Sequence, residues 1–279
     1  VEEKLYREFE GKPPLKLWLD IGDAEGLFLP RHVRAVADGL LSRGYRSGEE
    51  LAYLLQPEAA HQETDWGRRV HMPLLYMFGR PGRATSLELL GRNVVGLRGM
   101  SVRINALIRY DSGLAVSELD GGYEVEDPSV LEVRRDGTIV PKRTGTTVVT
   151  LTARGLRASR TYTVIEELSE WVEVRLSADV PASTPADADI YGGMGMKLAP
   201  AGRRRYEGRF AVPRDTGYCF RFTRGFRKFE APAAGAEDAA WRRSFRASDD
   251  IALHYTIERW EGLDSEAPEG RSYAASPEF

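Results

Sequence analysis

The sequence predicts a multidomain chain in which part of an α/β sheet is followed by two all-β sandwiches. Three observations carry this. Residues 1 to about 82 alternate strand-like and helix-like stretches. From 83 to 167 the apolar pattern changes to period two, punctuated by Asp, Gly and Pro turn signals. Residues 168 to 263 repeat that period-two pattern, and 264 to 279 are rich in Ser, Glu, Pro and Gly, the composition of a disordered tail.

In the first segment, Leu15 to Ile21 is nearly continuous apolar sequence, as expected of a strand buried on both faces of a parallel sheet. After a Gly-rich turn, Pro30 suits the first position of a helix. Val33, Ala37, Leu40 and Leu41 then recur at helical spacing until Gly44. Leu51 to Leu55 reads as a second strand, and a second helix is predicted from near Trp66 through Leu74, Leu75 and Phe78. In the second segment, Val102 to Ile108 and Thr147 to Ala153 alternate as half-buried strands, separated by turns at Asp111-Ser112-Gly113, Asp127-Pro128-Ser129 and Asp136-Gly137. Trp171 to Leu176 and Ile251 to Ile257 open and close the third segment in the same way.

Composition sets limits on function. A length of 279 residues allows about two or three domains. A net charge of -3 gives no global attraction to nucleic acid or anionic lipid, and no apolar run reaches the roughly 18 residues of a membrane span. The single cysteine, Cys219, excludes an intrachain disulfide and reads as a buried thiol in a strand.

The chemistry concentrates at two strand ends. Glu25 follows the first strand, His61 follows the second, and functional groups in doubly wound sheets collect at such carboxyl ends. A serine hydrolase needs a base beside its nucleophile and an acid to orient that base, and Glu25 and His61 suit those two roles. Asp23 is an alternative acid. Turn carboxylates and solvated loop histidines are the competing structural reading. No Gly-x-Ser-x-Gly occurs in the chain, which opens on Val1, so the nucleophile and its oxyanion hole are expected on upstream sequence. Glu63 and Asp65 read as helix N-terminal acids rather than metal ligands, and neither a metal nor another cofactor is expected.

The wording around these residues resembles the putative esterase family of α/β-hydrolases, which includes enterochelin esterase-like, feruloyl and acetylxylan esterases and esterase D. Gly22 matches the strand-ending glycine, Glu25 the acid three residues on, His61 the base and Trp66 the aromatic five residues after it. Glu replaces the more usual Asp, and Ala59-Ala60 replaces small glycines. The resemblance implies that 1 to 82 are the C-terminal portion of such a domain.

Asp127 to Val133, Asp136 to Val140 and Gly145 to Thr150 resemble the second group of bacterial immunoglobulin-like domains, over 83 to 167. Val180 to Pro185, Ile190 to Gly193, Phe220 to Phe226 and Trp260 resemble starch-binding modules, over 168 to 263. That last resemblance implies a sugar-stacking platform drawn from Tyr191, Phe226, Trp241 and Trp260. Met194 and Ala231 depart from it where the family places Trp.

The expectation is therefore a secreted or cell-surface bacterial serine esterase fragment acting on a carboxylic ester, carbohydrate- or siderophore-linked. It supplies acid and base but not the nucleophile. Its partners are an ester substrate and a polysaccharide or glycan. The alternative is a non-catalytic glycan- or surface-binding protein with a degenerate hydrolase portion.

Overall fold

The computed structural model describes residues 11–26, 28–193, 195–232 and 242–263. Among these residues the structure is mostly β, with 50% strand and 12% helix. It divides into two compact units. Unit 1 holds residues up to Val172 together with Val212–Tyr218 and Phe245–Asp249, and unit 2 holds Glu173–Ala211, Cys219–Ser244 and the residues from Asp250 on. The expected boundary at 82/83 falls inside unit 1, and the expected 264–279 tail lies outside the described residues.

Unit 1 begins with β1 (Leu17–Ala24), α1 (Leu29–Ser42), β2 (Leu51–Ala60), α2 (Glu63–Arg69) and α3 (His71–Phe78). Pro30 sits in the first turn of α1, where its missing N–H costs nothing. The single helix predicted after His61 is instead two helices meeting at Val70. Pro73 has no N–H to donate to the Arg69 carbonyl and its ring crowds that oxygen, so the run cannot stay continuous. β1 and β2 pair in parallel, and among the described residues they form a sheet of two strands. The segment was expected to be the C-terminal portion of a doubly wound hydrolase sheet, and among the described residues no further strand joins β1 and β2.

The unit continues through β3 (Ala84–Leu90), β4 (Val94–Gly99), β5 (Asn105–Tyr110), β6 (Ala115–Ser117), β7 (Tyr123–Val125), β8 (Leu131–Val133), β9 (Ile139–Pro141), β10 (Gly145–Ala153) and β11 (Leu156–Leu168). β4-β11-β10-β7 form one sheet and β3-β5-β6 another. Val95, Ala106, Val149, Leu151, Tyr162 and Val164 fill a core drawn from both sheets, as in a sandwich.

β5 is buried on both faces. Its Ala106 belongs to that sandwich core, whereas the adjacent Leu107 packs with Ala52, Leu54, Met72 and Tyr76 of the first segment. Successive strand residues point to opposite faces, so one strand joins both cores. The first two predicted segments share their interior through it.

The remaining strands are β12 (Trp171–Asp179), β13 (Ile190–Tyr191), β14 (Lys197–Gly202), β15 (Arg205–Pro213), β16 (Thr216–Phe220), β17 (Arg243–Ala247) and β18 (Ile251–Thr256); β13, β14, β18 and most of β12 and β15 belong to unit 2, whereas three residues each of β16 and β17 belong to unit 1. The main sheet of unit 2 has the order β13-β14-β15-β12-β18. On β12, Val172, Val174, Leu176 and Ala178 are buried while the residues between them face outward. Inside the unit, Glu230 is buried and held by Arg243 at 2.8 Å and by the Phe222 amide.

Candidate acid–base site

Strand register brings the two predicted residues together. Leu17 through Gly22 pair step by step with Leu51 through Gln56, and then β2 spends extra residues before Ala60 pairs with Ala24. Glu58 adopts φ 59° in this bulge, and its amide donates to Asp23 Oδ1 at 2.8 Å. Gly22 is required beneath it, because a Cβ there would lie 2.1 Å from the Ala59 carbonyl oxygen. With Ala24 and Ala60 aligned, the next residues of the two parallel strands are Glu25 and His61. The bulge thus sets their alignment.

Glu25 is buried, and its carboxylate accepts three hydrogen bonds. Oε1 takes the Gly22 amide at 2.9 Å and Arg69 Nη2 at 2.5 Å, while Oε2 lies 3.0 Å from His61 Nδ1. Burial pushes the Glu25 carboxyl up, but the Gly22 amide, His61 and the Arg69 guanidinium together outweigh it and hold the carboxyl below its ordinary value. The carboxylate is therefore ionised and fixed in direction at neutral pH.

The His61 ring is 66% exposed, and its Nδ1 edge alone is tied down. Trp66 stands edge-on to it, with centroids 4.7 Å apart and planes at 88°. Asp65, at the start of α2, accepts from the Ala60 amide and from Gln62 Nε2, each at 2.8 Å, which fixes the turn carrying His61. Among the described residues no serine hydroxyl bonds to His61.

Asp23, the alternative acid, is not at the ring. Its side chain binds the Glu58 amide and Arg246, the latter at 2.9 Å.

Sequence reasoning missed Arg69. Its side chain is 6% exposed and bridges Glu25 to Asp20, whose Oδ1 accepts from Nε at 2.6 Å. Asp20 Oδ2 in turn accepts from Trp18 Nε1 at 2.7 Å. Arg69 Nη1 is buried and has no hydrogen-bond partner among the described residues. A buried Arg between the Asp20 and Glu25 carboxylates orients both and offsets part of their negative charge. The sequence signal was the basic residue four positions from Asp65 on one helix, which reads as solvated surface charge.

The residues expected to stack on sugar do not form one platform. Trp260 is 1% exposed and its Nε1 donates to Thr184 Oγ1 at 2.8 Å, so its face is closed to ligands. Trp241 lies outside the described residues. Phe226, 87% exposed, and Tyr191 line a shallow cavity of about 550 Å³ with Phe229 and Cys219. Cys219 is half-buried there rather than enclosed. Among the described residues no group of three or more His, Cys, Asp and Glu side chains is arranged to hold a metal.

No protein-family model matches the chain, and no curated protein matches it. Among solved structures it is similar to the gamma-CGTase from alkalophilic Bacillus clarkii, at 16% identity over 64% of this chain and 28% of that one, with a TM-score of 0.26. Domains 4 and 5 of the S-layer protein SbsC give 11% identity over 62% of this chain and 100% of theirs, at 0.25. The major pilin subunit BcpA of Bacillus cereus gives 10% over 63% and 70%, at 0.18. The chain spans just over a quarter of the CGTase length. Among the described residues the first segment has two parallel strands where an α/β-hydrolase needs a wound sheet. The resemblances to the putative esterase, immunoglobulin-like and starch-binding families are corrected accordingly: the chain is a mostly β protein of several sandwich-like sheets with one α/β corner.

Proposed function

We propose that this chain supplies the acid and base of a serine-dependent carboxylic-ester hydrolase, the serine residing on polypeptide upstream of these 279 residues. The carrying observation is the 3.0 Å contact between His61 Nδ1 and the buried Glu25 carboxylate. That bond places the proton of the neutral ring on Nδ1 and leaves the Nε2 lone pair free. Nε2 accepts the serine proton as Oγ attacks the ester carbonyl, Glu25 stabilises the imidazolium, and the proton then passes to the leaving alcohol. Two further features support the reading. Among the described residues β1 and β2 form a sheet of two strands, joined otherwise by an isolated bridge between Ser47 and Leu51, and Trp66, Val70, Leu74 and Phe78 present a row of apolar side chains 37%, 60%, 57% and 87% exposed. Both suit a site completed by more polypeptide.

The test is p-nitrophenyl acetate hydrolysis by the chain joined to its upstream polypeptide. His61→Ala is expected to lower kcat by about 10⁴-fold or more, and Glu25→Gln by about 10²–10⁴-fold. Unchanged turnover in His61→Ala rejects the assignment.

A second reading, a non-catalytic glycan-binding protein of the cell surface, is favoured by one observation, the exposed Phe226 ring beside Tyr191 in the shallow cavity of unit 2. Retention on starch, xylan or peptidoglycan that is lost in Phe226→Ala supports it, and flow-through of the unaltered chain on all three removes it.

A further inference from the structure

Unit 2 brings a serine, a histidine and a carboxylate into line. β12 and β18 run parallel with Ser177 opposite His254, Ala178 opposite Tyr255 and Asp179 opposite Thr256. Alternation sends Leu176 and Ala178 into the core and turns Ser177, Asp179 and His254 to the outer face. His254 therefore lies between two residues of the neighbouring strand. Its Nδ1 is 2.9 Å from Ser177 Oγ, and its Nε2 is 3.2 Å from Asp179 Oδ2.

The Asp179 carboxylate only accepts, and its approach to Nε2 as an ion-pair contact favours the proton there, with the Nδ1 lone pair turned to the serine hydroxyl. The Leu253 carbonyl, 3.2 Å from Ser177 Oγ, is the competing acceptor, and the ring nitrogen is nearer. Ser177 and His254 open onto a cavity of about 660 Å³ whose walls include Arg175, Arg205 and Arg209. Arg175 precedes Ser177 by two residues on the same face of β12 and pairs with Glu173 at 2.5 Å.

The geometry points to a nucleophilic site independent of Glu25 and His61, with Ser177 as nucleophile, His254 as base and Asp179 as the group that orients it. The substrate class is a small carboxylic ester bearing an anionic group, met in the cavity by Arg209, while Arg175 and Arg205 are held by Glu173 and Glu207. Ser177 Oγ forms a bond to the carbonyl carbon while its proton moves to His254 Nδ1, and the carbonyl oxygen becomes an oxyanion. Collapse breaks the bond to the leaving alcohol, which takes the proton from Nδ1 and leaves an acyl-serine. Water then attacks that ester with His254 as base, releasing the acid and restoring Ser177. Each ring nitrogen has a polar partner, Ser177 at Nδ1 and Asp179 near Nε2, which an isolated surface histidine lacks.

The full chain is treated with a fluorophosphonate probe, which replaces its fluoride by a serine oxygen, and adducts are located by peptide mass spectrometry. General-base assistance is worth about 10²–10⁴-fold, and the lower end is expected in an exposed site. Ser177 should therefore label about 10²-fold faster than exposed Ser129, which donates its hydroxyl to Asp127 and has no imidazole beside it. His254→Ala should bring Ser177 to the Ser129 rate, and Asp179→Asn should slow it at least about 10-fold. Both changes are on the outer face, and circular dichroism verifies that the fold persists. Absence of a Ser177 adduct, or equal rates at Ser177 and Ser129, overturns the site. An unchanged rate in Asp179→Asn overturns the three-residue assignment. Ser177 is remote in sequence from His61, so this labelling succeeds or fails without regard to the esterase reading.

Discussion

Replacing Arg69 by Leu tests the electrostatic framework of the acid–base site. Arg69 and Glu25 are 6% and 4% exposed, and the same guanidinium binds Asp20. Leu at this position removes the charge that balances Glu25 but leaves that carboxylate in its buried position. Breaking a buried pair by removing one partner costs about 3–5 kcal/mol, because the other charge is left uncompensated. With a urea dependence near 2 kcal/mol per M, the midpoint of unit 1 should fall by roughly 1.5–2.5 M. The assay is urea unfolding at pH 7 followed on the NMR signals of Ala24 and Ala60, which report the aligned strand ends and not unit 2. Adding Glu25→Gln to Arg69→Leu should recover part of the loss, since the orphaned charge is then gone. A midpoint shift under about 0.5 M, the size of a surface ion pair, would refute the reasoning.

Three further outcomes follow from the same geometry. Gly22→Ala forces a Cβ against the Ala59 carbonyl oxygen and should destabilise by about 2 kcal/mol or more, read as a lower thermal midpoint; an unchanged midpoint means the β1–β2 bulge is placed wrongly. Because the Glu25 carboxyl titrates below its ordinary 4.5, its contribution to stability is complete above that pH and is lost as pH falls through the lower folded value. Glu25→Gln should flatten that acid limb, and parallel acid curves for the two proteins would count against the ionised carboxylate. Trp260→Ala should cost about 3–5 kcal/mol as a buried-core deletion, whereas Phe226→Ala should stay within about 0.5 kcal/mol; similar values for the two would contradict the burial assignments.

The parts legible in the sequence were those set by local pattern. α1 begins with its predicted proline in the first turn, and the alternating strands at 147–153 and 171–176 lie within β10 and β12. Glu25 and His61 were legible as a pair because each follows an apolar run that forms a strand, and equal strand ends become neighbours once register is fixed.

What the sequence did not carry was non-local. The wound sheet was inferred by extending two strand–helix units to a familiar whole, yet β2 packs through Leu54 against Leu107 of an antiparallel sheet. Nothing within 83–110 marks Leu107 as facing a different core from Ala106. The return of Val212–Tyr218 to unit 1 rests on pairs such as Arg92 with Asp215, 123 residues apart, which no window of sequence reveals. Arg69 lies 44 residues from Glu25, and its burial depends on the turn at Val70. Ser177 and His254 were separated by 77 residues and became neighbours only through parallel pairing of β12 and β18. A histidine in an alternating strand reads as structural until its cross-strand partners are known.

The position of the proton on the neutral His61 ring decides whether the ring can serve as a base. Long-range ¹H–¹⁵N correlation at a pH where the ring is neutral reads the tautomer from the two nitrogen shifts. The contact with Glu25 predicts a protonated Nδ1 and a bare Nε2, with the preference weakened in Glu25→Gln. A ring protonated at Nε2 in the unaltered chain would contradict the account, since the nitrogen required to accept a proton would already hold one.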